Sequence, residues 1–445
     1  MSLTNLSTKR RWIAELARRK PGEALTSLHH VIDLAWMRKA YELTRKDGAT
    51  GIDGVTAAAY EANLKVNLVD LLNRIKSGRY KSGRYKAPPV RRTYIPKADG
   101  SQRPLGIPTF EDKVAQRAIV MVLELIYEQD FKHCSYGFRP NRSCHDALRE
   151  LYRVITWQGQ HWVLDVDIRK YFDSILHHQL RAFLDQRVTD GVIRRMIDKW
   201  LKAGVLEEGF LQRATEGTPQ GGVISPMLSN IFLHHVLDDW FEREVRPRMA
   251  GGCTLVRYAD DFVITFKYHH DAKRVLEVLG KRLARYGLTL HPDKTRFVDF
   301  RPINGEVHPE CKAPPFDFLG FTHTWAKSLK GKNVVRQRTA KSRLARALVA
   351  VNEWCRINRH QLVRWQHGRL SLKLAGHYAY YGITGNIKQL ERYYTQVTRL
   401  WRKWLARRTR SKRLPWERFA ALLARHPLPS PRIIHCYAYV SEALP

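Results

Sequence analysis

Hydrophobic positions change their period several times along this chain. Near the N-terminus Trp12, Ile13, Leu16 and Ala17 recur at helical spacing, and the first 90 residues read as mainly helical. Val90 to Pro108 reads instead as extended strands with a turn at Asp99–Gly100. Helical patterns return afterwards, including 111–129. Trp162–Ile168 is apolar and rich in β-branched residues, and reads as a strand. Thr254–Phe266 reads as two apolar strands around a short acidic turn. The C-terminal part is helical: in 387–407 Leu390, Tyr394, Val397, Trp401, Trp404 and Leu405 follow helical spacing, with Arg and Lys between them. Mixed strands and helices followed by an all-helical end predict an α+β body with a helical tail.

Charge sharpens that picture. Lys and Arg number 77 against 42 Asp and Glu, a formal net charge of +35, while 44% of the 445 residues are apolar. The apolar share is enough to bury real cores, which excludes wholesale disorder. The excess of cations describes a polyanion binder, with nucleic acid as the default partner. No window offers about 18 uncharged apolar residues, so no membrane-spanning helix is expected. Residues 331–445 hold 24 Lys and Arg against only Glu353, Glu391, Glu417 and Glu442, and also Trp354, Trp365, Trp401, Trp404 and Trp416. Basic residues interleaved with aromatics suit structured nucleic acid, or a helical bundle with most of the rings inside. About two thirds of these rings are expected in the core.

The six cysteines are far apart and form no C-x-x-C pair, which argues against a zinc ribbon or a disulfide scaffold and for reduced thiols. No signal peptide is evident, so a cytoplasmic location is expected; the basic, acid-poor start also fits a transit peptide and an organelle. Four His pairs, such as His234–His235, do not share a helix face and are not expected to share a metal. A tandem KSGRY beginning at Lys76 is a local duplication in a basic loop.

The chemistry concentrates in acids. Asp260 and Asp261 stand between two apolar runs, where paired acids are also ordinary turn formers. Asp167 stands where another apolar strand meets a turn. Carboxylates at a strand end and a hairpin tip can hold two Mg²⁺ ions, which activate a 3′-hydroxyl and stabilise a leaving pyrophosphate. Hard oxygen donors without nearby Cys or His favour Mg²⁺ over zinc. Asp165, two residues away on the same strand face, reads as a supporting group.

Seven segments in one order resemble reverse transcriptases, and most closely the group II intron-encoded reverse transcriptase/maturases. They are Tyr94–Thr109, Ser135–Cys144, Val166–Leu176, Gly217–His234, Tyr258–Asp261, Gly287–Arg296 and Phe318–Thr322. The resemblance extends over residues 45–440 and includes Asp47–Gly54, Leu374–Asn386 and Trp401–His435. It implies a right-hand polymerase, with fingers and palm built on antiparallel sheet. Implied domains are an N-terminal extension and fingers (1–160), a palm (161–325), a thumb or maturase domain (326–386) and a DNA-binding region (387–445). Asp167, Asp260 and Asp261 would be the catalytic acids and hold two Mg²⁺ ions, with the carbonyl of Ile168 completing a shell. Lys97 and Arg103 would grip the incoming dNTP, unless they only solvate a basic hairpin. Gln220 would contact the nucleotide. Phe172 would exclude a 2′-hydroxyl, or else be a core ring beside Tyr171. Lys294 would face the phosphates or pair with a palm acid. His377 stands where many relatives carry Trp.

The partners implied are a group II intron RNA, as template and ribozyme, and target DNA met by Arg407, Arg408, Arg410, Lys412 and Arg413; these cations also fit a solvated helix end. The assembly would be a homodimer, or a monomer within a ribonucleoprotein. Without the paired C-x-x-C of an H-N-H endonuclease, the chain resembles endonuclease-lacking, class C-like enzymes. Alternatives are a domesticated reverse transcriptase serving defence, spacer acquisition or repair, a splicing factor with a decayed site, and an RNA-dependent RNA polymerase.

Overall fold

The computed structural model describes residues 5–77, 85–96, 100, 102–207, 210–212, 221–302, 313–328, 330–408 and 413–437. They divide into two compact units that interleave along the chain. The first comprises Met1–Cys144, Val166–Ile264 and His269–Arg296, and the second His145–Asp165, Thr265–Tyr268 and Phe297–Pro445.

In the first unit, helix Leu6–Arg19 buries Ile13 and Ala17, the face its spacing predicts, together with Lys9, which is ion-paired to Asp33. Helix Phe110–Tyr127 is buried along most of its length, and Thr109 caps it by accepting from the Asp112 N–H at 3.2 Å. The strands Val90–Pro96 and Gln102–Ile107 pair antiparallel, with Ile95 opposite Arg103 and Tyr94 opposite Pro104. Pro104 is tolerated because Gln102–Ile107 is the edge strand of its four-stranded sheet.

That sheet keeps two antiparallel pairings and adds one parallel pairing. Val90–Pro96 pairs parallel with Val205–Glu207, which in turn pairs antiparallel with Phe210–Gln212, so the sheet is mixed. Parallel partners need a long crossover, and here several helices intervene between the two strands. A second pair of neighbouring strands, Cys253–Tyr258 and Asp261–Phe266, confirms the reading of Thr254–Phe266.

In the second unit Phe316–Phe318, Phe321–Lys327 and Asn333–Thr339 form an antiparallel sheet. Four helices follow, Lys341–Ile357, Val363–Tyr381, Ile387–Ala406 and Trp416–Arg425. They share one core that includes Leu344, Leu374, Leu390, Trp401, Phe419 and Leu428. Residue 386 lies between the second and third of these helices. Trp401 and Trp404 are buried and Trp354 is partly buried, whereas Trp365 and Trp416 stay exposed. On helix Ile387–Ala406 it is Tyr393 rather than Tyr394 that is fully buried, its ring stacked on His377 at 3.7 Å. His377 thus packs its flat ring against an aromatic neighbour.

Candidate active site

Tyr258 ends one strand and Asp261 begins the next, so Ala259 and Asp260 make a two-residue turn. Tight hairpin turns of this length demand positive φ, and Ala259 has φ +58°. A residue with a Cβ resists that conformation by about 1–2 kcal/mol, so neighbours must hold it. Two do. The Ala259 carbonyl accepts from Nη1 of Arg257 at 2.9 Å. Gly137 packs so closely that a Cβ there would come within 2.4 Å of the Ala259 nitrogen. Only glycine allows this approach.

Asp167 directly follows the strand Trp162–Val166. Its carbonyl accepts from the His291 N–H at 2.8 Å, and the Arg169 N–H donates to Thr289 at 2.9 Å, so the segment is bridged to 289–291 through Ile168 and Leu290. Those two bonds flank Ile168 and leave its own carbonyl out of the bridge. The same bridge delivers Lys294, whose Nζ lies 3.1 Å from Oδ2 of Asp167. Of the two expectations for Lys294, pairing with a palm acid is the one the geometry realises.

Asp260 is partly buried, and burial raises its pKa; the negative Asp167 adds to the rise, while Arg103 and Arg257 oppose it. Asp167 and Asp260 thus lie within electrostatic reach of each other, and Arg103 within reach of Asp260. Asp261 is exposed at the start of its strand. Among the described residues no three His, Cys, Asp or Glu side chains group closely enough to hold a metal ion. Two mutually repelling carboxylates nonetheless suit a hard divalent cation. The donors are all oxygen, burial of Asp260 resists a second negative charge, and a lysine with 59% side-chain exposure is the ion partner of Asp167.

Phe172 lies in the turn Tyr171–Asp173, which follows Lys170 at φ +46°. Tyr171 is buried and its hydroxyl donates to the Ser229 carbonyl at 3.0 Å. Phe172 meets Tyr171 edge to face at 5.2 Å and is only half-buried. Tyr171 takes the core position, and part of the Phe172 ring remains open.

Arg103 is exposed on its edge strand. Gly221 has φ +111°, and a Cβ there would come within 2.5 Å of the Gly106 carbonyl, so Gly221 presses on the strand that carries Arg103. Lys97 and Gln220 lie outside the described residues, as do Arg410 and Lys412. Arg407, Arg408 and Arg413 are exposed. Arg407 lies over the Trp404 ring at 4.8 Å, and Arg408 donates to the His360 carbonyl at 3.2 Å.

One group near the acids is not marked by any motif. Arg257 is fully buried beneath the turn. A lone arginine inside the apolar run Thr254-Leu-Val-Arg-Tyr258 was the available signal, since arginine is almost never fully buried unless paired.

Residues 95–323 match the family described as reverse transcriptase (RNA-dependent DNA polymerase). Protein YkfC of Escherichia coli is 36% identical over 263 residues, covering 52% of this chain and 68% of that protein. The group II intron-encoded protein LtrA of Lactococcus lactis is 45% identical over 218 residues, covering 47% of this chain and 35% of LtrA. A putative COX1/OXI3 intron 2 protein of Saccharomyces cerevisiae is 37% identical over 301 residues, covering 56% of this chain and 34% of that protein. The chain thus spans about two thirds of the first relative and about a third of the other two.

Proposed function

The chain belongs to the reverse transcriptase family, with group II intron-encoded proteins among its relatives, and on that premise we propose an RNA-directed DNA polymerase that copies intron RNA into cDNA. In the same reading it acts as a maturase, binding that RNA and assisting its splicing. The observation that carries the reading is the juxtaposition of Asp167 and Asp260, with Arg103 in reach of the same acid.

Asp167, Asp260 and Asp261 would hold two Mg²⁺ ions, with the carbonyl of Ile168 as a further oxygen. When bound, the ions supply charge stabilisation for the 3′-oxygen and the departing pyrophosphate. The residues do the rest. Arg103, with Lys97, binds the triphosphate of the dNTP, and Gln220 contacts the nucleotide. The half-open ring of Phe172 excludes a 2′-hydroxyl. The Arg257 and Gly137 contacts hold the acidic turn before substrate binds, so little reorganisation is left for the reaction.

Residues 1–160 serve as N-terminal extension and fingers, 161–325 as palm, 326–386 as thumb and 387–445 as the DNA-binding region. The second unit offers a concavity of about 940 Å³ whose lining includes Arg338, Lys341, Arg392, Thr322, Thr324 and Ser342, together with Asp317 and the apolar Leu344 and Leu348. Cations beside hydroxyls suit a phosphodiester backbone. Intron RNA and target DNA are the partners. No helix among the described residues is long and apolar enough to cross a membrane; we place the protein in the cytoplasm, with its nucleic-acid partners.

The test is Mg²⁺-dependent extension of a DNA primer on an RNA template by wild type and Asp260→Asn. The amide is a poor ligand, so the variant should lose at least about 100-fold in rate while still binding intron RNA. Wild-type-like extension by Asp260→Asn would refute the assignment of the acids.

A further inference from the structure

Arg257 has 0% side-chain exposure, and so does its counter-ion Asp238. All five of its N–H groups have acceptors close by. Nε donates to Oδ1 of Asp238 at 2.7 Å and one Nη2 hydrogen to Oδ2 at 2.5 Å. The other Nη2 hydrogen goes to the Ser135 hydroxyl at 2.7 Å. Nη1 donates to Oδ1 of Asn230 at 3.0 Å and to the Ala259 carbonyl at 2.9 Å. Asn230 passes the connection on, donating to the Gly137 carbonyl at 2.7 Å. Gly137 is the residue wedged against the Ala259 nitrogen. The guanidinium network therefore meets the left-handed residue of the acidic turn from both sides.

Backbone bonds tie the same segments together. The Arg257 N–H donates to Cys134 at 2.8 Å and its carbonyl accepts from Tyr136 at 2.9 Å. Helix winding supplies the rest. Asn230 lies in helix Ser225–Leu233, and Asp238 ends the wider-wound segment His234–Asp238. In an unbroken α-helix, residues eight apart differ by about 80° around the axis. The i→i+5 turn lowers the rotation per residue and returns Asp238 to the side of Asn230. Both then face one guanidinium, which a regular helix would not allow.

We propose that Arg257 is a positioning residue for the acidic turn: through the Ala259 carbonyl and the Asn230–Gly137 link it holds Asp260 in the geometry that accepts a divalent cation. The inference rests on the polymerase reading given above and adds a residue that acts through others. Its role is geometric rather than a matter of charge. Lysine in its place keeps the charge but presents three donors from one point, which cannot span Asp238, Asn230, Ser135 and Ala259 together.

The test compares wild type, Arg257→Lys and Ser135→Ala by steady-state primer extension at varied dNTP and Mg²⁺, with thermal melting of each. For Arg257→Lys, kcat per folded molecule should fall about 10- to 100-fold with dNTP KM within about twofold. Half-saturating Mg²⁺ should rise by about threefold or more, because the turn must be reordered as the cation binds. Ser135→Ala removes one of the five bonds and should shift half-saturating Mg²⁺ in the same direction by less; it decides the matter alone if Arg257→Lys does not fold. Lowered melting with unchanged kcat and Mg²⁺ dependence would overturn the proposal and leave Arg257 a fold residue. Wild-type behaviour of Arg257→Lys would overturn the geometric role. If wild type itself fails to extend a primer at any Mg²⁺ concentration, the polymerase reading falls and takes this inference with it.

Discussion

Lys294 lies 3.1 Å from Asp167, so the acid that follows the strand Trp162–Val166 carries a monovalent partner in the protein alone. The lysine is more than half exposed, so the pair contributes about 1 kcal/mol at most. It is a contact that a divalent cation can displace.

Replacing Lys294 by Met should lower the Mg²⁺ concentration for half-maximal primer extension by about two- to fourfold, because one competitor for Asp167 is removed. If Lys294 also reaches the triphosphate once displaced, dNTP KM rises in the same variant. A Mg²⁺ titration at saturating and limiting dNTP separates the two effects. No change in either would show the pair to be without consequence.

Phe172→Val should raise the use of rNTP relative to dNTP by about 10-fold or more, since shortening the half-open ring makes room for a 2′-hydroxyl. Tyr171→Phe serves as the contrast. It removes the buried hydroxyl that donates to Ser229 and should lower melting without altering sugar selectivity. Single-nucleotide incorporation with each sugar measures both. An unchanged ratio in Phe172→Val would make that ring a packing residue only.

Asp112 predicts a pH dependence of stability. Burial pushes its pKa up to about 7 from an ordinary 3.8, although Trp200 donates to it at 2.7 Å and Gln116 at 3.0 Å. The folded protein therefore keeps a proton that the unfolded chain releases near pH 4. The resulting stabilisation is complete below that pH, declines as pH rises toward about 7 by at most about 1.4 kcal/mol per unit, and levels off above. Asp112→Asn should remove this component, so that the melting temperature of wild type falls relative to the variant between pH 4 and 7. Parallel melting curves across that range would contradict the buried proton.

Charge reversal at Arg407, Arg408 and Arg413 should weaken binding of duplex DNA and flatten its dependence on salt, by about one unit of log–log slope for each phosphate that is no longer neutralised. Extension of a preannealed short primer should survive, because none of the three belongs to the acidic site. Affinity measured at two salt concentrations checks this. Unchanged affinity and slope would make the run a solvated helix end.

Much of the site was legible along the chain because its parts are local. The acidic turn needs only its two flanking strands, and the apolar runs on either side of it in Thr254–Phe266 announce both. Asp167 is marked by the apolar run before it. The choice between Tyr393 and Tyr394 was not legible, since both fit a helical stripe and only the fit against His377 selects one. Tyr171 and Phe172 are neighbours of similar size, and only the Ser229 carbonyl decides which one turns inward.

What the sequence determined by itself was the set of secondary elements, the excess of cations and the order of the motifs, because periodicity, composition and spacing are written in neighbouring residues. The tertiary structure alone decided that Val90–Pro96 runs parallel to Val205–Glu207, that Lys294 meets Asp167, and that Arg257 is fully buried with its donors on Asp238, Asn230, Ser135 and Ala259. These pairings join residues far apart in the chain. A buried guanidinium is stable only where folding brings every acceptor within reach at once, and no local pattern encodes that convergence.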